Sequence, residues 1–207
     1  MKIRAILLIL GLLAFLSVTA SGVLYYSSLR TSVLKNSETQ AGYHAEKIKN
    51  LISSYLMNNQ KAVRALAGLK ELQKALVNPN EIALTEANLI LDHFNDSLKV
   101  SVSYLMDRNG KTIASSNRHD QDSFVGKKYS FRPYFKEAIH GNPAVYMALG
   151  VTSKKRGVYY SYPIYDSSQN SPIGVVVLKA GVDTIEREFM SLQHYSPEMI
   201  TLSLIHI

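Results

Sequence analysis

From residue 5 to residue 29 the chain carries no charged side chain, and residues 5–24 are mostly Leu, Ile, Val, Ala and Phe. About 20 such residues suffice for a helix to cross the hydrocarbon core of a bilayer. Lys2 and Arg4 precede the run, and the positive-inside bias then holds residues 1–4 in the cytoplasm and sends the following chain outward. Tyr25 and Tyr26 fall where an interfacial aromatic belt is expected. A cleaved signal peptide is the competing reading, because Val18-Thr19-Ala20 offers a small-residue cleavage site. The apolar run continues beyond that site into helical sequence, which favours a retained anchor over residues 5–29.

The remainder has the composition of a folded domain outside the cytoplasm. Of 207 residues, 46% are hydrophobic and 19% charged, enough apolar surface for a packed core. The absence of cysteine excludes thiolate zinc sites, iron–sulfur clusters, thiol nucleophiles and a lipoprotein anchor. The net charge of +7 is scattered. Nucleic-acid binding needs a continuous basic footprint, and none is present. The six histidines show no H-x-x-x-H or H-E-x-x-H spacing, so no metal site is expected. There is no G-x-S-x-G elbow and no phosphate-binding glycine loop.

Apolar residues recur at Ile48, Leu51, Ile52, Tyr55, Leu56, Val63, Leu66, Leu69, Leu72 and Leu76, at helical spacing. No proline interrupts residues 31–77, which predicts one stalk helix over 31–78. Asn78-Pro79-Asn80 ends it, and a second helix runs from Glu81 to about Leu98. The period then becomes two. Val102, Tyr104 and Met106 alternate with Ser103 and Leu105, a strand that turns at Asp107-Arg108-Asn109-Gly110 and returns over 111–115. The Asn-Gly pair predicts positive φ at both central positions. Ser130 is the expected cap of a helix over 131–140. Strands follow over 144–152, 158–165 and 173–182, with Pro163 marking an edge position or a bulge. A last helix is expected from about Thr184. Short turns between successive strands make the sheet antiparallel, so the fold class is α+β.

This order resembles the membrane-distal PAS-like module of the double Cache family of bacterial extracytoplasmic sensors. The likeness is carried by Asp122-Ser123-Phe124-Val125-Gly126, by Ser130-Phe131-Arg132-Pro133-Tyr134-Phe135, by residues 148–157 and by the Val-rich strand with Lys179. Together they are similar to the sensor domain of four-carbon dicarboxylate sensor histidine kinases. The resemblance implies a PAS-like sheet packed on a long N-terminal helix over 30–187, with a small organic acid as ligand and a homodimer as the working form. A response regulator would be reached through a cytoplasmic kinase part, and ATP and Mg2+ belong to that part alone. No cofactor is expected here. Residues 188–201 read as the start of a truncated second module, and 202–207 resemble translated adapter sequence. Cache inputs also serve chemoreceptors and diguanylate cyclases. A membrane-tethered periplasmic enzyme is the contrasting class, which no nucleophile–base pair or paired-acid motif supports.

An anion site needs cations and hydroxyl donors converging where water is partly excluded. Arg132, at a helix start, can grip a carboxylate bidentately. Tyr134 either reaches the ligand or covers the sheet, and Thr152 and Ser153 end a strand where hydroxyls can donate from a turn. Tyr159 and Ser161 share one strand face and Tyr160 and Tyr162 the other, and one of the two looks into the pocket. Lys179 interrupts the apolar run Val175-Val176-Val177-Leu178. An unpaired ammonium in a buried strand is costly, which predicts an anionic partner. Arg132 and Lys179 together match two carboxylates. The expected ligand-binding set is thus Arg132, Tyr134, Thr152, Ser153, Tyr159, Ser161 and Lys179, with no catalytic residue.

Overall fold

The computed structural model describes residues 2–166, 171–183 and 186–187. It divides into two units, Met1–Ile52 and Ser53–Ile207. The first unit is helical throughout its described length and belongs to α1 (Lys2–Ala67). This is the described helix long and apolar enough to cross a membrane. Its apolar side chains, Leu8 and Leu24 among them, are exposed. Within the apolar run the Thr19 hydroxyl bonds back to Phe15 O and Leu16 O, both at 3.0 Å. That satisfies a polar group without water.

In the second unit the expected stalk helix is broken. α1 ends at Ala67 and α2 (Lys70–Val77) begins after a turn in which Gly68 N and Leu69 N bond to Ala65 O and Leu66 O. Leu69 is extended, with φ −78° and ψ 131°. Glycine is a weak helix former, and the break lets Leu72 and Ala75 of α2 become buried. α3 (Glu81–Leu98) starts at Asn80, whose side chain accepts from Ala83 N at 2.9 Å.

The sheet comprises β1 (Val102–Asp107), β2 (Thr112–Ser115), β3 (Ala144–Leu149), β4 (Arg156–Tyr165) and β5 (Pro172–Gly181), in the order β2-β1-β5-β4-β3 with every pair antiparallel. α2 and α3 pack against β5, β1 and β2, and α4 (Pro133–Ile139) against β3, β4 and β5. Alternation puts Tyr104, Met106, Val175, Val177 and Tyr159 into the core cluster with Tyr134, Phe135 and Ala138 of α4. Leu105, Val176, Leu178 and Tyr160, of opposite parity, are buried too. The sheet is therefore covered on both faces.

Three local expectations are corrected. The β1–β2 connection has positive φ at Gly110 alone (φ 76°), not at Asn109. Asp107 N bonds to Lys111 O across a three-residue loop, and the Asp107 carboxylate accepts from Asn109 N and Lys111 N. This is the type I turn with a left-handed third residue. α4 starts at Pro133, not Phe131, and its N-cap is Arg132 rather than Ser130. A residue before proline is driven out of the helical region, and proline suits the first helical position. β3 stops at Leu149, short of Thr152, because residues 150–155 close a turn (Gly150 N to Lys155 O, 2.9 Å) with Lys154 at φ 53°.

Pro163 pairs with Val175 on one side, while β3 begins opposite Ser161. β4 is thus locally an edge there, and a register shift follows between Ile164 and Tyr165. The expected helix from about Thr184 falls largely outside the described residues, and 188–207 wholly so.

Gly110 combines positive φ with close approach: a Cβ there would lie 2.7 Å from Ser130 Cα. Gly110→Ala is expected to lower stability by on the order of 1–3 kcal/mol, measured by denaturant unfolding.

Candidate functional site

On the α4 side of the sheet, aromatic rings gather around two cations. Cross-strand register sets Lys179 of β5 between Val102 of β1 and Tyr159 of β4. Phe124 and Tyr129 arrive from the 116–132 loop. The Tyr104 and Phe124 rings meet edge-on at 5.2 Å, and Phe124 and Tyr129 at 5.6 Å. Tyr134 stacks on Tyr159 at 5.0 Å with planes 5° apart. The Tyr104 hydroxyl donates to that of Tyr134 at 2.8 Å.

Burial pushes these phenols up. Tyr104 lies well above its ordinary value and Tyr134 rises to about 12, the latter despite the opposing pull of the Tyr104 hydrogen bond and the nearby Arg132. Tyr129 and Tyr159 shift upward for the same reason. All four therefore stay protonated near neutral pH and keep a hydroxyl to donate.

The half-buried Arg132 holds its guanidinium carbon 5.4 Å from the Tyr159 ring centroid, 5.7 Å from Tyr134 and 6.0 Å from Phe131. Its Nη2 donates to Leu149 O at 3.1 Å. Lys179 is 2% exposed. Its Nζ donates to Ser153 Oγ at 2.5 Å and lies 5.8 Å from the Tyr159 ring centroid and 5.9 Å from that of Phe124. Both cations thus border the Tyr159 ring.

No carboxylate among the described residues forms an ion pair with Lys179. Burial lowers its pKa, Lys155 and Arg132 lower it further, and Asp122 and Asp183 act in the opposite sense. The Thr152 and Tyr129 hydroxyls lie 2.7 Å apart. Gly150 makes this closure possible, since a Cβ there would meet Ser153 Oγ at 2.5 Å and Tyr159 Oη at 3.0 Å.

The space enclosed by Phe124, Tyr129, Arg132, Tyr134, Thr152, Tyr159 and the Gly150-Val151 backbone is about 10 Å3, with no acidic residue in its lining. That is room for one water. A groove of about 570 Å3 runs beside α2 and α3, with Lys70, Lys74, Glu86 and Ile82 in its walls. It is open and of mixed charge, so the chemistry concentrates in the smaller site. Among the described residues no His, Asp and Glu cluster is placed to hold a metal ion. The small space is lined by hydrogen-bond donors, a guanidinium, phenols and a hydroxyl, and the Lys179 ammonium lies 5.8 and 5.9 Å from the centroids of its Tyr159 and Phe124 rings. Such a set suits an anion with two acid groups.

Of the residues expected from sequence, the structure brings together Arg132, Tyr134, Thr152, Ser153, Tyr159 and Lys179. Ser161 stands apart, its hydroxyl donating to Tyr134 O at 2.9 Å and Ala144 O at 3.3 Å. It fastens α4 and β3 to β4. The open choice of face is resolved as well: Tyr159 looks into the site, while Tyr160 lies near Tyr55 and Asn59 of α1. Phe124, Tyr129, Gly150 and Tyr104 belong to the site without having been singled out. Tyr104 was readable from the alternation in β1, whereas the loop residues carried no periodic signal.

The model of the dCache_1 family, described as a Cache domain, matches residues 25–200. The C4-dicarboxylate transport sensor protein DctB of Pseudomonas aeruginosa is 35% identical over 154 residues, 74% of this chain and 24% of that protein. The chain thus spans about a quarter of the length of that curated relative. The crystal structure of the V. cholerae histidine kinase DctB sensor domain matches with 34% identity and a TM-score of 0.60, over 67% of this chain and 55% of that one. The ligand-binding domain of the Campylobacter jejuni chemoreceptor Tlp3, in complex with 4-methylisoleucine, shares the fold alone: 20% identity, TM-score 0.54, 69% of this chain and 57% of that one.

Proposed function

The chain belongs to the Cache-domain family, and on that premise we propose that residues 30–187 are the extracytoplasmic input domain of a transmembrane sensor histidine kinase and bind a four-carbon dicarboxylate. The observation that carries this reading is the pair Arg132 and Lys179 beside one Tyr159 ring, a ring that together with Arg132 lines a space free of acidic residues. Arg132 takes one carboxylate through its planar fork. Lys179, with Ser153, Thr152 and Tyr129, takes the other. Tyr134 and Tyr159 form the wall between them.

The ligand replaces contacts that the 149–155 segment now makes: Leu149 O on Arg132 and Ser153 Oγ on Lys179. In this reading α1 anchors the protein in the inner membrane, and the domain works outside the cytoplasm as a homodimer. The response regulator, ATP and Mg2+ engage a kinase part beyond this chain.

A chemoreceptor-type amino-acid ligand fits the site less well. Its ammonium would enter a lining that presents the Arg132 guanidinium and no carboxylate, and like charges in close, desolvated contact repel strongly. Titration calorimetry of the full chain in detergent with succinate, butyrate and leucine tests the assignment. Succinate is expected to bind most tightly, with butyrate weaker by roughly tenfold or more. Leucine as the tightest of the three would overturn the dicarboxylate reading. A periplasm-dependent reporter fused after Ser191 is expected to be active, and a silent one would contradict the proposed topology.

A further inference from the structure

The 117–124 loop supplies Phe124 to the site, and one side chain joins its two ends. Asn117, 5% exposed, accepts from Phe124 N at 3.2 Å and from Ser115 Oγ at 2.7 Å through Oδ1. Its Nδ2 donates to Asp122 O at 3.1 Å. On the outer side the loop is tied to α3. Ser115 N bonds to Asn88 Oδ1 at 3.0 Å, and Arg118 grips Asp92 bidentately at 2.7 and 2.8 Å. On the inner side Phe124 presents its ring to the Lys179 ammonium and packs on Tyr104 and Tyr129. Asp122, two residues earlier, is the leading opposite charge acting on Lys179.

We infer that Asn117 is a positioning residue for the ligand site: it acts through the 117–124 loop, holding Phe124 against the Lys179 ammonium. This rests on the dicarboxylate reading, for which Lys179 is the second anchor. Asn117 touches neither cation. Its amide satisfies a backbone N–H, a backbone carbonyl and a hydroxyl at once, and removing it strands the Phe124 N–H and the Ser115 hydroxyl in a buried place. The loop then relaxes, and with it the place of Phe124, whose ring centroid lies 5.9 Å from the Lys179 ammonium, and of Asp122, whose carbonyl Asn117 holds.

The charged groups acting on Lys179 are Asp122, Lys155, Asp183 and Arg132, so the effect of moving Asp122 has a definite sign. With Asp122 withdrawn, Lys179 holds its proton less firmly, and the alkaline decline of dicarboxylate binding begins at lower pH.

The test compares the full-length chain in detergent with Asn117→Ala and Asp122→Asn, titrating succinate and butyrate across pH. Asn117→Ala is expected to weaken succinate roughly tenfold, to leave butyrate nearly unchanged, and to move the alkaline limb of the succinate profile to lower pH. Asp122→Asn keeps the backbone carbonyl that Asn117 bonds, so it folds normally and reproduces the shift of the alkaline limb. A merely structural asparagine would lower the unfolding midpoint while leaving the succinate-to-butyrate ratio and the limb as in the wild type; that result, or an unmoved limb in Asp122→Asn, overturns the inference. If the wild type does not bind succinate, the proposed function has failed on its own. The inference is then read without ligand, from the Lys179 ammonium resonance assigned with Lys179→Arg. A lower titration midpoint in Asn117→Ala upholds it, and an unchanged one overturns it.

Discussion

Arg132→Ala is expected to remove nearly all succinate binding. Truncating one partner of a hydrogen-bonded charge pair in a desolvated site costs about 2–5 kcal/mol, or roughly 30-fold or more in affinity at 1.4 kcal/mol per tenfold. Arg132 is half-buried, so the lower end applies, yet its loss strikes every carboxylate ligand, because it is the anchor that succinate and butyrate would share. The same substitution frees Leu149 O, which now accepts from Arg132, at a turn that water reaches, so the thermal midpoint should move little. Arg132→Lys separates charge from shape. A lysine keeps the positive charge but loses the planar fork and its stacking against Tyr134 and Tyr159, so it is expected to recover only part of the affinity. Calorimetric titration of the two variants against the wild type reads both effects. An affinity for Arg132→Ala within threefold of the wild type would exclude Arg132 as the carboxylate anchor.

The parts of this molecule that a sequence discloses are those where one period dominates. The strand alternation around Tyr104 and the apolar run broken by Lys179 led directly to the sheet and to its buried cation. The choice between Tyr159 and Tyr160 did not follow, because β4 is covered on both faces and its residues 157–161 are all buried. Parity separates the two faces of such a strand without saying which one meets a ligand.

Ser161 shares the parity of Tyr159 but is occupied by two backbone carbonyls of neighbouring elements. Only tertiary placement reveals that competition. The helix break at Gly68 and the start of α4 at Pro133 were local events outweighed by a long apolar period in one case and by a plausible serine cap in the other. Phe124 and Tyr129 lie in a loop without period, held by the Asn117 bridge and by Tyr129 N bonding to Gly110 O at 2.8 Å. Contacts of this kind join residues through side chains and turns whose spacing leaves no repeating mark.

Lys179→Met should separate the two cations by what each one reads. Methionine retains much of the stem's bulk and removes the ammonium, so succinate is expected to weaken by roughly 30-fold while butyrate, held through Arg132, changes little. Stability should move the other way. Lys179 is buried, its hydrogen-bond partner among the described residues is a hydroxyl, and its pKa in the folded state lies below the ordinary value of 10.5.

Between that lowered value and 10.5 the unfolded chain binds more protons than the folded one, so the stability of the wild type rises with pH across the window. Below the window the charged form is disfavoured in the fold and its cost is fully present. Replacing a buried ionic group by an apolar one of similar volume is often neutral or stabilising by about 1–4 kcal/mol, so Lys179→Met without ligand is expected to unfold at higher denaturant and to lose the alkaline rise. Succinate bound to the wild type reverses the electrostatics: a neighbouring dianion raises the proton affinity of Lys179, and binding in the alkaline range takes up a proton. Calorimetry in buffers of different ionisation enthalpy measures that uptake, which Lys179→Met should abolish. Equal weakening of succinate and butyrate, or an unchanged proton uptake, would mean that Lys179 holds the fold of β5 and does not read the second carboxylate.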